Sequence, residues 1–264
     1  MIYWLLGLTL LGPLLVAVSG AISLNADWRT ASRASAGLAP DPALAREAIV
    51  QVYAARAFNW RGLFAVHTWI ATKRRDADHY VVHQVIGWNA WAGRPVVESS
   101  PDVPDRRWYD APPAIIHEVR GAAAAALIPA LEAAVARYRY PHTYRLWPGP
   151  NSNTFVAAVA REVPALGLAL PGTAIGKDFL ADGRWVGPAP SGTGYQLSIA
   201  GYVGILGALK EGLEVNVLGA VFGFDPVRLG VKLPGIGVLG LRPGGVAQAR
   251  GGDPPSTAHT EPVQ

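Results

Sequence analysis

No charged side chain occurs between Ile2 and Leu24, and the run Leu5-Leu6-Gly7-Leu8-Thr9-Leu10-Leu11-Gly12-Pro13-Leu14-Leu15-Val16-Ala17-Val18 is apolar almost throughout. About 20 such residues suffice to cross a ~30 Å hydrocarbon core. A cleaved signal peptide normally begins with positive charge and has a shorter apolar region. Neither feature is present, so an uncleaved transmembrane anchor is expected ahead of a cleaved signal. Residues 1–24 are read as that anchor or signal, residues 25–42 as a polar connector, 43–241 as one α+β domain, and the Gly- and Pro-rich segment 242–264 as a disordered tail. Arg29 and Arg33 follow the apolar run, and the positive-inside rule taken alone places that side in the cytoplasm.

The remainder is ordinary enough in composition to bury a core, since half of the residues are apolar. The 22 prolines and 30 glycines predict many turns. The net charge of +4 is scattered, and only Lys73-Arg74-Arg75 and Arg106-Arg107 place basic residues side by side. Nucleic-acid binding needs a patch or stripe of charge, so none is expected. Cysteine is absent, which excludes disulfides, thiolate metal sites and a cysteine nucleophile.

Alternation predicts a strand over Leu63–Thr72, with Phe64, Val66, Thr68 and Ile70 on one face and Leu63, Ala65, His67 and Trp69 on the other. Tyr80–Trp88 reads as its hairpin partner and Val96-Val97 as a short third strand. Asp41-Pro42 has the form of a helix start. Ala114–Tyr138 reads as one long helix, broken or kinked at Gly121 and Pro129. A short strand is expected over Tyr144–Trp147. A helix follows from about Asn153 to Glu162, with Phe155, Val159 and Val163 on its buried side. The Gly-punctuated apolar runs Tyr195–Leu209 and Leu213–Phe224 are too short to span a bilayer and read as a β-hairpin. Laid against a bilayer instead, they make a membrane-organising surface.

The candidate chemistry lies in Ser152, His67 and His83. A hydroxyl at a helix N-terminus with an imidazole facing it from a neighbouring strand is a workable nucleophile and base. The helix terminus contributes only about 0.3–1 kcal/mol, so Ser152 needs His67 as an explicit general base. Asn151, Asn153, Trp69, Trp147 and Lys177 are candidates for substrate contact. Asn and Ser are also preferred N-cap residues, and that role alone explains Asn151-Ser152-Asn153. Gly172-Thr173-Ala174-Ile175-Gly176-Lys177-Asp178 departs from a phosphate-binding loop in length and in its final residue. The histidines lack metal-ligand spacing. No cofactor and no metal is expected.

Phe64-Ala65-Val66-His67-Thr68-Trp69-Ile70, Arg120-Gly121, Leu127-Ile128-Pro129 and Trp147-Pro148-Gly149-Pro150-Asn151-Ser152-Asn153-Thr154-Phe155 resemble an uncharacterised bacterial family, the domain-of-unknown-function family numbered 3750. The resemblance continues through Ala174-Ile175-Gly176-Lys177-Asp178, covers roughly Glu47 to Leu241, and carries no assigned activity. More distantly, the order His67, His83, Asn151-Ser152-Asn153-Thr154-Phe155 is similar to that of circularly permuted papain-like proteins, the group of lecithin:retinol acyltransferase-like enzymes and NlpC relatives. That resemblance implies an antiparallel sheet with packed helices and a cleft holding His67, His83 and the residue at 152. Ser152 stands where those enzymes carry their cysteine.

The combined expectation is an α+β, permuted papain-like domain behind one membrane helix. It is placed at a bacterial inner membrane with the domain in the periplasm. Its function is either that of a degenerate or serine-based hydrolase or acyltransferase, or that of a non-catalytic envelope module binding peptidoglycan, lipid or a protein.

Overall fold

A computed structural model describes residues 2–20, 22 and 24–241. The tail expected to be disordered, 242–264, lies outside the described residues.

The apolar N-terminal run forms helix α1, Ile2–Val18, of 17 residues. At 1.5 Å per residue it is about 25 Å long, short of the ~30 Å core of a bilayer. The described helix is thus shorter than the expected span of Ile2–Leu24, and no helix among the described residues is long and apolar enough to cross a membrane. The helix stops where the Ser19 hydroxyl turns back to the Val16 carbonyl at 2.8 Å.

The first sheet is antiparallel with order β4-β3-β2-β1-β5. Its strands are β1 (Ile49–Arg56), β2 (Val66–Lys73), β3 (Val81–Val85), β4 (Val97–Pro101) and β5 (Ala114–Arg120). The central strand β1 is buried along nearly its whole length, because both faces of the sheet are covered. Helices α2 (Gly121–Ala136) and α3 (Ser152–Glu162) cover one face. There Val50, Val52, Ile70 and Val85 meet Leu131, Phe155 and neighbouring helix residues. An aromatic layer covers the other, where Tyr53, Trp69, Val82 and Ile86 meet Trp108 and Tyr109.

Three local expectations fail for identifiable reasons. The expected helix at Asp41-Pro42 is a single turn, with the Asp41 carboxylate accepting from the Ala43 amide at 2.9 Å. The β-branched run Ile49-Val50-Gln51-Val52 soon follows and takes strand form. The predicted long helix over Ala114–Tyr138 is instead β5 followed by α2, divided at Gly121, whose φ of +65° makes the corner. Tyr144–Trp147 is irregular, not a strand.

The second sheet is a seven-stranded antiparallel meander in chain order. Its strands are β6 (Val186–Pro188), β7 (Gly194–Ile199), β8 (Val203–Ala208), β9 (Gly212–Val217), β10 (Ala220–Asp225), β11 (Gly230–Leu233) and β12 (Gly237–Gly240). The two apolar runs read as one hairpin are therefore four strands, β7 to β10. Helix α1 rests at one end of this sheet, where Gly12 faces the Pro234 carbonyl so closely that a Cβ would overlap it.

Candidate functional site

The α3 N-terminus is a structural junction built from three polar side chains. Asn151 caps the helix, its Oδ1 accepting from the amides of Asn153 and Thr154 at 3.0 Å each, while its Nδ2 donates to the Leu146 and Ile175 carbonyls. Thr154 donates its hydroxyl to the Gly176 carbonyl at 2.8 Å. Gly176 has a φ of +102°, and a Cβ there would overlap the Asn151 amide group, so the close approach requires glycine. Asn153 donates to the Val66 and Ile175 carbonyls at 2.9 and 2.8 Å and accepts from the Thr68 hydroxyl at 2.9 Å. These bonds pin the helix start to β2 and to the 175–176 segment. Ser152 is buried among them, and its hydroxyl makes no hydrogen bond among the described residues.

His67 is on the other side of the sheet. Thr68 bonds Asn153 on the helix-covered face, so strand alternation turns its neighbour His67 to the aromatic face. There the imidazole stacks on Trp108 with ring centroids 3.6 Å apart and planes 12° apart. Its Nε2 is buried without a hydrogen-bond partner. Burial first, and the nearby Arg106 guanidinium second, push the imidazole down to about 3, against a smaller upward pull from the Gln84 side chain. Facing away from Ser152 and stacked on Trp108, with burial disfavouring its protonated form, it is not positioned as the base that Ser152 needs.

His83 pairs opposite Ile70 in the register of β2 and β3 and therefore shares the helix-covered face. Its Nε2 lies 3.0 Å from Thr72 Oγ1 and its Nδ1 2.8 Å from Ser99 Oγ, so both ring nitrogens are occupied. Burial lowers it to about 4. The adjacent-strand placement of the two histidines holds, but His67 and His83 face opposite ways, and neither hydrogen-bonds Ser152 among the described residues. The remaining candidates are equally dispersed. Trp69 stacks on Tyr53 and donates Nε1 to the Pro104 carbonyl at 2.7 Å. Trp147 packs edge-on against Tyr202 at 4.8 Å, at one end of the second sheet.

Lys177 lies between the two sheets, fully buried, donating to Asp178 at 2.8 Å and to Glu214 at 2.5 Å. Lys232 reaches the other Glu214 oxygen at 2.5 Å. Burial alone lowers a lysine, but Asp178 and Glu214 outweigh it and hold Lys177 above its ordinary value. Burial likewise raises Glu214, and the two lysines overcome it to leave the carboxyl below its ordinary range. Arg161 joins from α3, donating to the Lys177 carbonyl and to Gln196 Oε1, both at 2.8 Å. Glu214 and Lys232 were missed in the sequence, although both occupy the polar positions of alternating strands.

This network belongs to an inverted sheet. On β7 to β9 the inward side chains are Gln196, Ser198, Leu206, Glu214 and Asn216, four of the five polar, whereas Leu197, Ile199, Val203, Ile205, Val215 and Val217 face outward and are exposed. No charged residue points outward from these three strands. Helix α1, at the end of the same sheet, exposes Leu10, Leu11, Leu14, Leu15 and Val18.

Comparison of the chain with curated proteins and with solved structures yields no match to either, and the papain-like likeness therefore gains no support from a known fold. One family model does match, over residues 47–179, from just before β1 to just before the second sheet. The chain belongs to that family, described as Protein of unknown function (DUF3750).

Proposed function

We propose that this protein is a non-catalytic module of the bacterial cell envelope that lies on a membrane, with the outer face of its second sheet and helix α1 both against lipid. The single observation that carries this reading is the inversion of the second sheet: its polar side chains are spent inward on the ion network and its uncharged apolar side chains face out. Contiguous apolar surface of this kind marks a protein or membrane contact. Lipid is favoured over a second copy of the chain because α1 adds a second uncharged apolar surface at the sheet's end, and a bilayer covers both together. A helix about 25 Å long can lie in the interface without crossing it. Hydrolysis at Ser152 is disfavoured by the position of His67 across the sheet and by the occupied nitrogens of His83.

The chain contains no cysteine, so single cysteines can carry a polarity-sensitive fluorophore. Labels at Leu197→Cys and Ile205→Cys in the full chain should shift to the blue on vesicles of phosphatidylglycerol and phosphatidylcholine. A label at Ser100→Cys, exposed on β4 of the first sheet, should not. Unshifted emission from positions 197 and 205 on vesicles that do bind the chain would sink the reading.

A further inference from the structure

A cavity of about 150 Å³ opens on the aromatic side of the first sheet, lined by Arg33, Arg94, Arg106, Arg107, Trp88 and Trp108. Four guanidiniums around so small a space repel one another unless something negative offsets them. Glu98 is the one carboxylate in the lining, and its Oε1 already accepts from the buried amide of Asn89 at 2.6 Å. Arg106 is paired with Asp102 at 2.7 Å. Arg33, Arg94 and Arg107 have no carboxylate partner among the described residues. Arg94 instead donates to Asn89 Oδ1 at 2.8 Å, and Arg107 to the Asp110 carbonyl at 3.3 Å.

The backbone is bent to present this wall. Trp108 and Ala111 close a tight turn, each amide bonded to the other's carbonyl, and the two residues between them, Tyr109 and Asp110, have φ of +51° and +73°. Turns of this type favour Asn-Gly, and a bulky residue held there costs on the order of 1–3 kcal/mol. The connector stabilises the turn: the Ser32 amide donates to Asp110 Oδ1 at 2.7 Å, and the Asp110 amide to the Ser32 carbonyl at 3.0 Å. The same strap lays the Arg33 guanidinium over the Tyr109 ring at 4.5 Å. A set of solvated surface arginines needs neither the strap nor the strained turn.

We infer that this cavity is a binding site for a small oxyanion, a phosphate monoester or a carboxylate, gripped by the unpaired guanidiniums of Arg33, Arg94 and Arg107 with its carbon portion against Trp88 and Trp108. Guanidinium forks match both anions in bidentate geometry, and Trp faces suit a flat or apolar attachment. The volume is that of a cavity known to hold one benzene ring, so the site takes the anionic group and its first few carbons, with any longer chain left outside. The inference stands apart from the membrane reading, since the cavity lies on the first sheet.

The test is a titration of the full chain in neutral detergent, following tryptophan emission, with methyl phosphate, benzoate and short-chain phosphatidate as probes. At least one should give a saturable change, and Arg94→Gln and Arg107→Gln should each weaken it tenfold or more. Trp88→Ala, at a half-exposed position, should weaken it also and serves if an arginine variant fails to fold. Response to methyl phosphate or benzoate identifies a water-soluble ligand, and response to phosphatidate alone identifies a lipid headgroup. No saturable response up to roughly 10 mM, or equal affinity in the parent and all variants, overturns the proposal.

Discussion

The two sheets of this protein solve the same burial problem in opposite ways. The first keeps apolar side chains inside on both faces and admits a few polar groups, the two neutral imidazoles among them. The second turns charge inward, binding Glu214 between Lys177 and Lys232, and leaves its aliphatic side chains outside. The difference teaches that alternation along a strand fixes which residues share a face but not which face becomes the interior. That is decided by what lies beyond each face, and for the second sheet the proposed neighbour is lipid.

The comparison breaks most visibly at Glu214. Glu214→Leu leaves two buried ammonium groups facing each other, and a loss of roughly 3–5 kcal/mol in unfolding free energy is expected from denaturant titration. A loss below about 1 kcal/mol would mean that the second sheet does not depend on its ion network.

Acid should separate the sheets next. His67 is lowered to about 3 and His83 to about 4, so below pH 6.5 the unfolded chain binds protons that the folded one refuses. Stability therefore rises with pH across that window, and His67 alone accounts for roughly 3 kcal/mol between pH 6.5 and 4. Glu214, lowered by its lysines, contributes stability that is present above the ordinary carboxylate range and lost only as pH falls through its depressed value. Hydrogen exchange as pH falls from 6.5 to about 4 should thus open the first sheet before the second. Replacing His67 by Phe should flatten the slope, and an unchanged slope in that variant would refute the assignment.

Two smaller effects sharpen the reading of the α3 junction. Asn153→Ala strands the Thr68 hydroxyl and weakens the hold on two buried carbonyls, for an expected cost of about 1–3 kcal/mol. Ser152→Ala removes a hydroxyl with no partner among the described residues and should change stability by less than about 0.5 kcal/mol. The parent should also resist covalent labelling by a serine-reactive fluorophosphonate. Labelling that disappears in the Ser152→Ala variant would restore the catalytic reading.

Much of the first sheet could be read from residues alone. The two faces of Val66–Ile70, the β2–β3 pairing and the start of α3 all follow from period and capping, whereas Leu63–Ala65, read as the start of the same strand, belong to a 3-10 turn and its exit. Strand β1 escaped because a strand buried on both sides shows no alternation, only a continuous apolar run. Strand β5 escaped because Ala114–Arg120 runs into an Ala-rich segment of good helix formers, and Gly121 reads as a kink within one helix instead of the corner between strand and helix. The site was misread for a tertiary reason: His67 was correctly placed on one face of its strand, but nothing local says that α3 would cover the other. The arginines of the cavity are far apart in sequence, Arg33 in the connector and Arg107 after β4, and contacts between the connector and the 105–110 segment, Ser32 to Asp110 and Ser35 to Asp105 among them, bring them together.

The Lys177–Glu214 pair also imposes an order on assembly. On a growing chain Lys177 is made 37 residues before its carboxylate partner, and until Glu214 follows, burying that ammonium with Asp178 alone leaves the site a partner short. The segment carrying Lys177 and Asp178 is expected to stay hydrated meanwhile. Within the segment matched by the family model, Lys177 thus reaches its final packing only when the second sheet arrives to neutralise it. A chain stopped after Leu180 should leave the synthesis machinery with its ammonium still in water.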